Sequence, residues 1–110
     1  MYAMFKEAMH FMSDLSMWDV SEVENISFLF NGATSFNSDL LLWNLSKATQ
    51  MRAVFQNAVK FDSDISTWNV SRVFDMVAMF KRALSFNQNL CKWGYHLRTP
   101  LYIQRIAYVC

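Results

Sequence analysis

Few side chains in this sequence could do chemistry, and their spacing says more than their number. The two cysteines, Cys91 and Cys110, both lie near one end of the chain. They read either as reduced core thiols or as a bridged pair. No C-x-x-C and no His/Cys cluster accompanies them, so a zinc site is not expected. His10 and His96 are the only histidines, and His10, beside a Phe column, reads as a surface or packing residue. There is no G-x-S-x-G and no P-loop, and two glycines cannot build a phosphate cradle. No catalytic set emerges, so the chain reads as a non-enzyme with no cofactor.

The carboxylates are more informative. Asp14, Asp39, Asp64 and Asn89 recur at intervals of 25 residues. Carboxylates one repeat apart repel by about 1 kcal/mol in water and more at lower dielectric. Two arrangements offset this. Each Asp can accept N–H bonds from its own turn, or calcium can sit between turns; the first needs nothing but the chain itself. Asn37, Asp62 and Asn87 read as a second ladder, bonding backbone. Asn25-Ile26-Ser27, Asn44-Leu45-Ser46 and Asn69-Val70-Ser71 match the glycosylation sequon. For the last two, the repeat demands Asn/Asp-apolar-Ser in any case.

These intervals belong to a period that runs without a gap from Met1 to Trp93. Phe recurs at Phe5, Phe30, Phe55 and Phe80, and again at Phe11, Phe36, Phe61 and Phe86. Ala recurs at Ala8, Ala33, Ala58 and Ala83, and Trp at Trp18, Trp43, Trp68 and Trp93. Such self-similarity marks a repeat architecture whose stability comes from neighbour stacking. One domain over 1–110 is expected, with repeats 1–25, 26–50, 51–75 and 76–93 and a C-terminal cap at 91–110.

Within a repeat, Leu15, Trp18 and Val20 suggest a strand with one buried face. Their L-x-x-W-x-V spacing matches the core of a leucine-rich repeat. Val23, Ile26, Leu29, Phe30 and Ala33 fall on one helical stripe, and Ser21-Glu22-Val23-Glu24 reads as a capping box. Asn37-Ser38-Asp39 is turn chemistry. The expectation is therefore α/β: a leucine-rich-repeat-like solenoid of four strand–helix repeats, with a parallel sheet and equivalent residues about 4.8 Å apart. The Trp and Phe columns become internal ladders, rather than a sugar-stacking platform. Thr99-Pro100 predicts a short final helix over 100–108.

The unit M-x-x-M-F-x-x-A-x-x-F-N-x-D-L-S-x-W-D-V-S resembles the repeat of BspA-like surface proteins, which are related to leucine-rich-repeat proteins. Met79-Phe80…Ala83…Phe86-Asn87 and Asp64-Ile65-Ser66-Thr67-Trp68-Asn69-Val70-Ser71 carry the likeness over residues 1–93. The resemblance implies a secreted or surface-anchored protein used in adhesion or contact, without known catalytic residues. Asn87-Gln88-Asn89-Leu90-Cys91-Lys92-Trp93-Gly94 is similar to a terminal cap of some members, closed by a second Cys, here Cys110. Closing that loop would stabilise the chain by roughly 3 kcal/mol in the chain-entropy model. A Met-Phe pair expected near Gln104-Arg105 is absent.

Composition bounds the partners. Lys and Arg number ten against nine Asp and Glu, so no global field attracts nucleic acid or anionic lipid. No uncharged apolar run reaches membrane-spanning length. Charge is segregated, however. Residues 1–25 carry one Lys against five acids (1 − 5 = −4), and residues 76–110 carry five Lys/Arg and no acid (+5). That reads as a solvated cap, as a surface for an acidic partner, or as a basis for head-to-tail association. The first repeat has no cap of its own, which reads as a fragment of a longer protein with a sticky N-terminal face capable of self-association.

The best contact candidates are the outward positions of the expected strands: Met17, Asp19, Ser21; Leu42, Asn44, Ser46; and Thr67, Asn69, Ser71. In leucine-rich-repeat-like arrays such positions line the face where partners dock. Met17 and Leu42 add adjacent exposed apolar surface. The function expected is an extracellular, non-catalytic module contacting a protein or glycan; the alternative is a structural spacer without a specific ligand.

Overall fold

A computed structural model describes residues 1–96. Cys110, Arg98, Arg105 and the helix expected over 100–108 lie outside the described residues. Four stacked coils make up the described chain, and residues 25 apart lie on neighbouring coils.

The coils are not built from strands and helices. Among the described residues the only regular element is a 3-10 helix, Cys91–His96. The parallel pairing that exists is limited to isolated bridges, Asn25 to Gln50 and Gln50 to Asp75. The expectation of an α/β leucine-rich-repeat-like solenoid with a parallel sheet is thereby overturned.

Turns replace both elements. Trp18 N–H donates to the Leu15 carbonyl at 3.1 Å, and Val23 N–H to the Val20 carbonyl at 3.0 Å. The segment read as a strand therefore folds back on itself twice. The segment read as a helix contains turns closed by Leu29 N–H on the Ile26 carbonyl and Ala33 N–H on the Phe30 carbonyl, both at 3.0 Å. Their third residues, Phe28 (φ 60) and Gly32 (φ 76), are left-handed, while their second residues are not, which is the signature of type II turns. A left-handed residue every fourth position is incompatible with an α-helix.

The same pattern recurs in the other coils. Ala3, Ala53 and Ala78 share the left-handed position of Phe28, and Glu7, Asn57 and Arg82 share that of Gly32. The close approach of coils explains the glycine: a Cβ on Gly32 would lie 3.1 Å from Glu7 Cγ and 3.3 Å from Glu7 Cα. The predicted capping box is likewise a turn. Asp19, not Ser21, provides the side-chain acceptor, taking the Ser21 N–H at 3.0 Å.

Between coils runs a backbone ladder of fixed polarity. Phe5, Phe30 and Phe55 N–H donate to the carbonyls of Leu29, Val54 and Met79 at 2.9, 3.0 and 2.9 Å, each 24 residues on. Ala3, Phe28 and Ala53 do the same to Ser27, Arg52 and Val77. Turns that fold back within a coil thus satisfy their remaining polar groups across coils, as buried backbone requires.

The interior is an aromatic stack. Phe30, Phe55 and Phe80 rings lie 5.7–5.8 Å apart, and Phe36, Phe61 and Phe86 rings 5.8–6.0 Å apart. Trp43, Trp68 and Trp93 continue at 6.3 Å. All three columns are essentially solvent-free from the second coil onward. Each such side chain contributes about 1.5–3 kcal/mol by burial.

Candidate contact surface

The nine sequence-derived contact positions fall on turns. Met17, Leu42 and Thr67 are third residues of the turns beginning at Leu15, Leu40 and Ile65. Met17 is 86% exposed and Leu42 77%, and Thr67 is exposed. Asp19, Asn44 and Asn69 are exposed too, but their Oδ1 atoms accept the N–H groups of Ser21, Ser46 and Ser71 at 3.0–3.1 Å. Ser21 and Ser46 are half-buried and Ser71 is exposed. Thr67 Oγ1 donates to the Leu41 carbonyl at 2.9 Å. Equivalent positions therefore recur from coil to coil on turns and not on the outer face of a sheet.

The acidic column has the turn role. Asp14, Asp39 and Asp64 accept N–H bonds from Ser16, Leu41 and Ser66 at 2.8–2.9 Å, and Asn89 accepts from Cys91 at 2.8 Å. Those bonds favour the ionised carboxylate, so Asp14 and Asp64 are held below the ordinary aspartate value, chiefly by the backbone N–H of Ser16 and Ser66. Asp19 is lowered first by the Ser21 hydroxyl. Among the described residues no three His, Cys, Asp or Glu side chains come together as metal donors.

The second ladder spans coils. Asp62 N–H donates to Asn37 Oδ1 and Asn87 N–H to Asp62 Oδ1, both at 2.8 Å. Gln88 Nε2 adds bonds to the Asp62 carbonyl and Oδ1. Met12 occupies this column in the first coil, so that rung is missing there.

The sequons divide. Asn25 is half-buried, with Nδ2 3.5 Å from Gln50 Oε1, and its partner Ser27 is 3% exposed. Asn44 and Asn69 are exposed. Cys91 opens the 3-10 helix and is half-buried; its expected partner Cys110 lies outside the described residues.

Among the described residues, six of the nine large exposed apolar side chains, Tyr2, Met4, Met9, Met12, Met17 and Trp18, belong to the first coil. Trp18 is 44% exposed, whereas Trp43 and Trp68 are 3%. Among the described residues the first coil has a neighbouring coil on only one side.

A family model described as "Mycoplasma protein of unknown function, DUF285" matches residues 1–99. The chain belongs to this family. The DUF285 match covers all four coils, so the aromatic stack, the turn-forming Asp and Asn columns and the exposed ridge all lie within the family's own unit. No curated protein and no solved structure matches the chain. No helix among the described residues of this DUF285 chain is long and apolar enough to cross a membrane.

Proposed function

We propose that this chain is a non-catalytic contact module of the BspA-like type, displayed outside the cell, that holds a protein or glycan along its exposed turn ridge. The observation that carries the reading is the pair Met17 and Leu42. They stand at equivalent positions on adjacent coils, 86% and 77% exposed, and the core does not need them. Exposed apolar side chains flanked by polar Asp19, Asn44 and Asn69 suit a contact patch. The structural-spacer reading draws on a different observation: the Asp19, Asn44 and Asn69 oxygens already serve their own turns, leaving less of each side chain for a ligand.

The test is capture of surface proteins and glycans by the wild type and by a Met17→Ser, Leu42→Ser, Asn69→Asp triple variant. Loss of capture with an unchanged Tm supports the ridge; undiminished capture contradicts it. Alkylation without reduction tests the extracellular reading separately. A Cys91–Cys110 bridge, with or without sugar on Asn44 or Asn69, agrees with it, and two alkylated thiols in protein from the native source contradict it.

A further inference from the structure

The sequence holds one Asn–Gly pair, Asn31–Gly32, and every other Asn precedes a residue with a side chain. The pair has its own chemistry. A backbone nitrogen that follows Asn can attack the Asn side-chain Cγ, and Gly leaves both the approach and the backbone least hindered. The fold sets the pair in the middle of the turn from Phe30 to Ala33 and occupies both groups that the attack needs. Gly32 N–H donates to the Gln56 carbonyl at 2.8 Å. Asn31 Nδ2 donates to the Gln56 side-chain Oε1 at 3.3 Å. Both bonds cross from the second coil to the third, and Asn31 and Gly32 are half-buried.

We infer that Asn31–Gly32 is a modification site gated by the contact between the second and third coils, converting to aspartate and isoaspartate when Gly32 is released from Gln56. The reaction consumes water and needs no enzyme. The Gly32 nitrogen bonds to Asn31 Cγ, the Cγ–Nδ2 bond breaks, and Nδ2 leaves as ammonia with the Gly32 amide proton. Water then opens the succinimide ring. Opening at Cγ gives aspartate. Opening at the backbone carbonyl gives isoaspartate, whose main chain runs through the former side chain.

No product restores the original contact. The succinimide has no N–H at Gly32 for the Gln56 carbonyl. Aspartate has no donor for Gln56 Oε1. Isoaspartate lengthens the backbone by a carbon atom and turns the carbonyl that accepts the Glu7 N–H into a carboxylate off the main chain. Aspartate and isoaspartate both add a negative charge near Glu7, whose Cγ approaches Gly32 closely. Parting of these two coils is therefore recorded irreversibly, and the record hinders their closing. The device is confined to the second coil: the equivalent pairs are Lys6–Glu7, Gln56–Asn57 and Lys81–Arg82.

The experiment holds the full chain at mildly alkaline pH over a series of guanidinium chloride concentrations. Peptide mass spectrometry after digestion reads conversion at Asn31, and hydrogen exchange reads the Gly32 amide. Conversion should be at least about tenfold slower in the folded chain than in the unfolded one, because only the opened fraction reacts. The two rates should rise together as denaturant increases. Trp68→Phe removes an indole bond between the same two coils and should speed conversion several-fold without denaturant. Conversion as fast in the folded chain as in the unfolded one overturns the inference. Conversion that stays constant while Gly32 exchange accelerates overturns it too. A purified isoaspartate chain that regains the original Gly32 protection overturns the irreversible record.

Discussion

The Trp43 indole Nε1 donates to the Leu15 carbonyl at 2.9 Å, spanning 28 residues to the previous coil. Leu15 is the first residue of its own turn, and the same carbonyl takes the Trp18 N–H. One acceptor therefore closes a turn within a coil and ties that coil to the next. Trp68 repeats the bond on Leu40, but Trp93 Nε1 is buried without a partner.

That difference predicts unequal costs for one substitution. Trp68→Phe loses packing and a buried hydrogen bond, and should cost about 2–4 kcal/mol. Trp93→Phe loses similar packing but removes an unsatisfied donor, so its cost should be at least about 1 kcal/mol smaller. Urea unfolding of the two variants measures the gap, and equal losses would mean that the indole bond contributes nothing.

Gly32 combines a left-handed backbone with a close approach to Glu7. Gly32→Ala should destabilise by about 1–2 kcal/mol. The reverse change at the equivalent exposed position, Arg82→Gly, should be neutral or stabilising by up to about 1 kcal/mol. Thermal melts of both variants check the pair.

Ala58 is fully buried, and its N–H closes the turn on Phe55 while its carbonyl takes the Phe61 N–H at 3.1 Å. Ala58→Leu should overpack the space beside the two Phe columns and cost about 1–3 kcal/mol. A fall in Tm without loss of the wild-type far-ultraviolet spectrum is the expected signature.

Asp14, Asp19 and Asp64 are lowered from the ordinary value of 3.8 by bonds to the N–H and hydroxyl groups of their turns. A depressed folded-state value means that this stabilisation is present above 3.8 and is lost as pH falls through the lower folded-state values. Stability should therefore decline on acidification below about pH 4. Asn makes the same turn bond at positions 44, 69 and 89. A triple Asp→Asn variant at 14, 19 and 64 should keep its neutral-pH stability and show a shallower acid limb. An unchanged limb would assign the acid response to other groups.

The period and the buried columns were legible in the sequence because repetition and burial depend on side-chain type. Ile26, Leu29, Phe30 and Ala33 are buried as the apolar stripe required. The elements were not legible, because a turn closed from residue i to i+3 brings side chains three apart to one side, much as a helix does. Periodicity alone cannot separate the two. The signal against a helix was local: Gly32 and Asn57 hold a position that tolerates left-handed backbone, yet Glu7 and Arg82 share it and mask the pattern. Likewise Leu15, Trp18 and Val20 read as a strand, but Asp14 and Asp19 are turn-initiating residues on either side. The exposure of Met17 and Leu42 was legible despite the wrong element, because 25-residue equivalence alone puts them at matching positions of adjacent coils.

Coils of turns bonded across 24 residues are the central feature of the fold. Through-hydrogen-bond NMR couplings test this directly. The account predicts a coupling from the Phe55 amide to the Met79 carbonyl, and from the Ala53 amide to the Val77 carbonyl. Couplings from these amides to carbonyls four residues earlier, Met51 and Thr49, would show the helix that periodicity suggested and would contradict the turn-built stack.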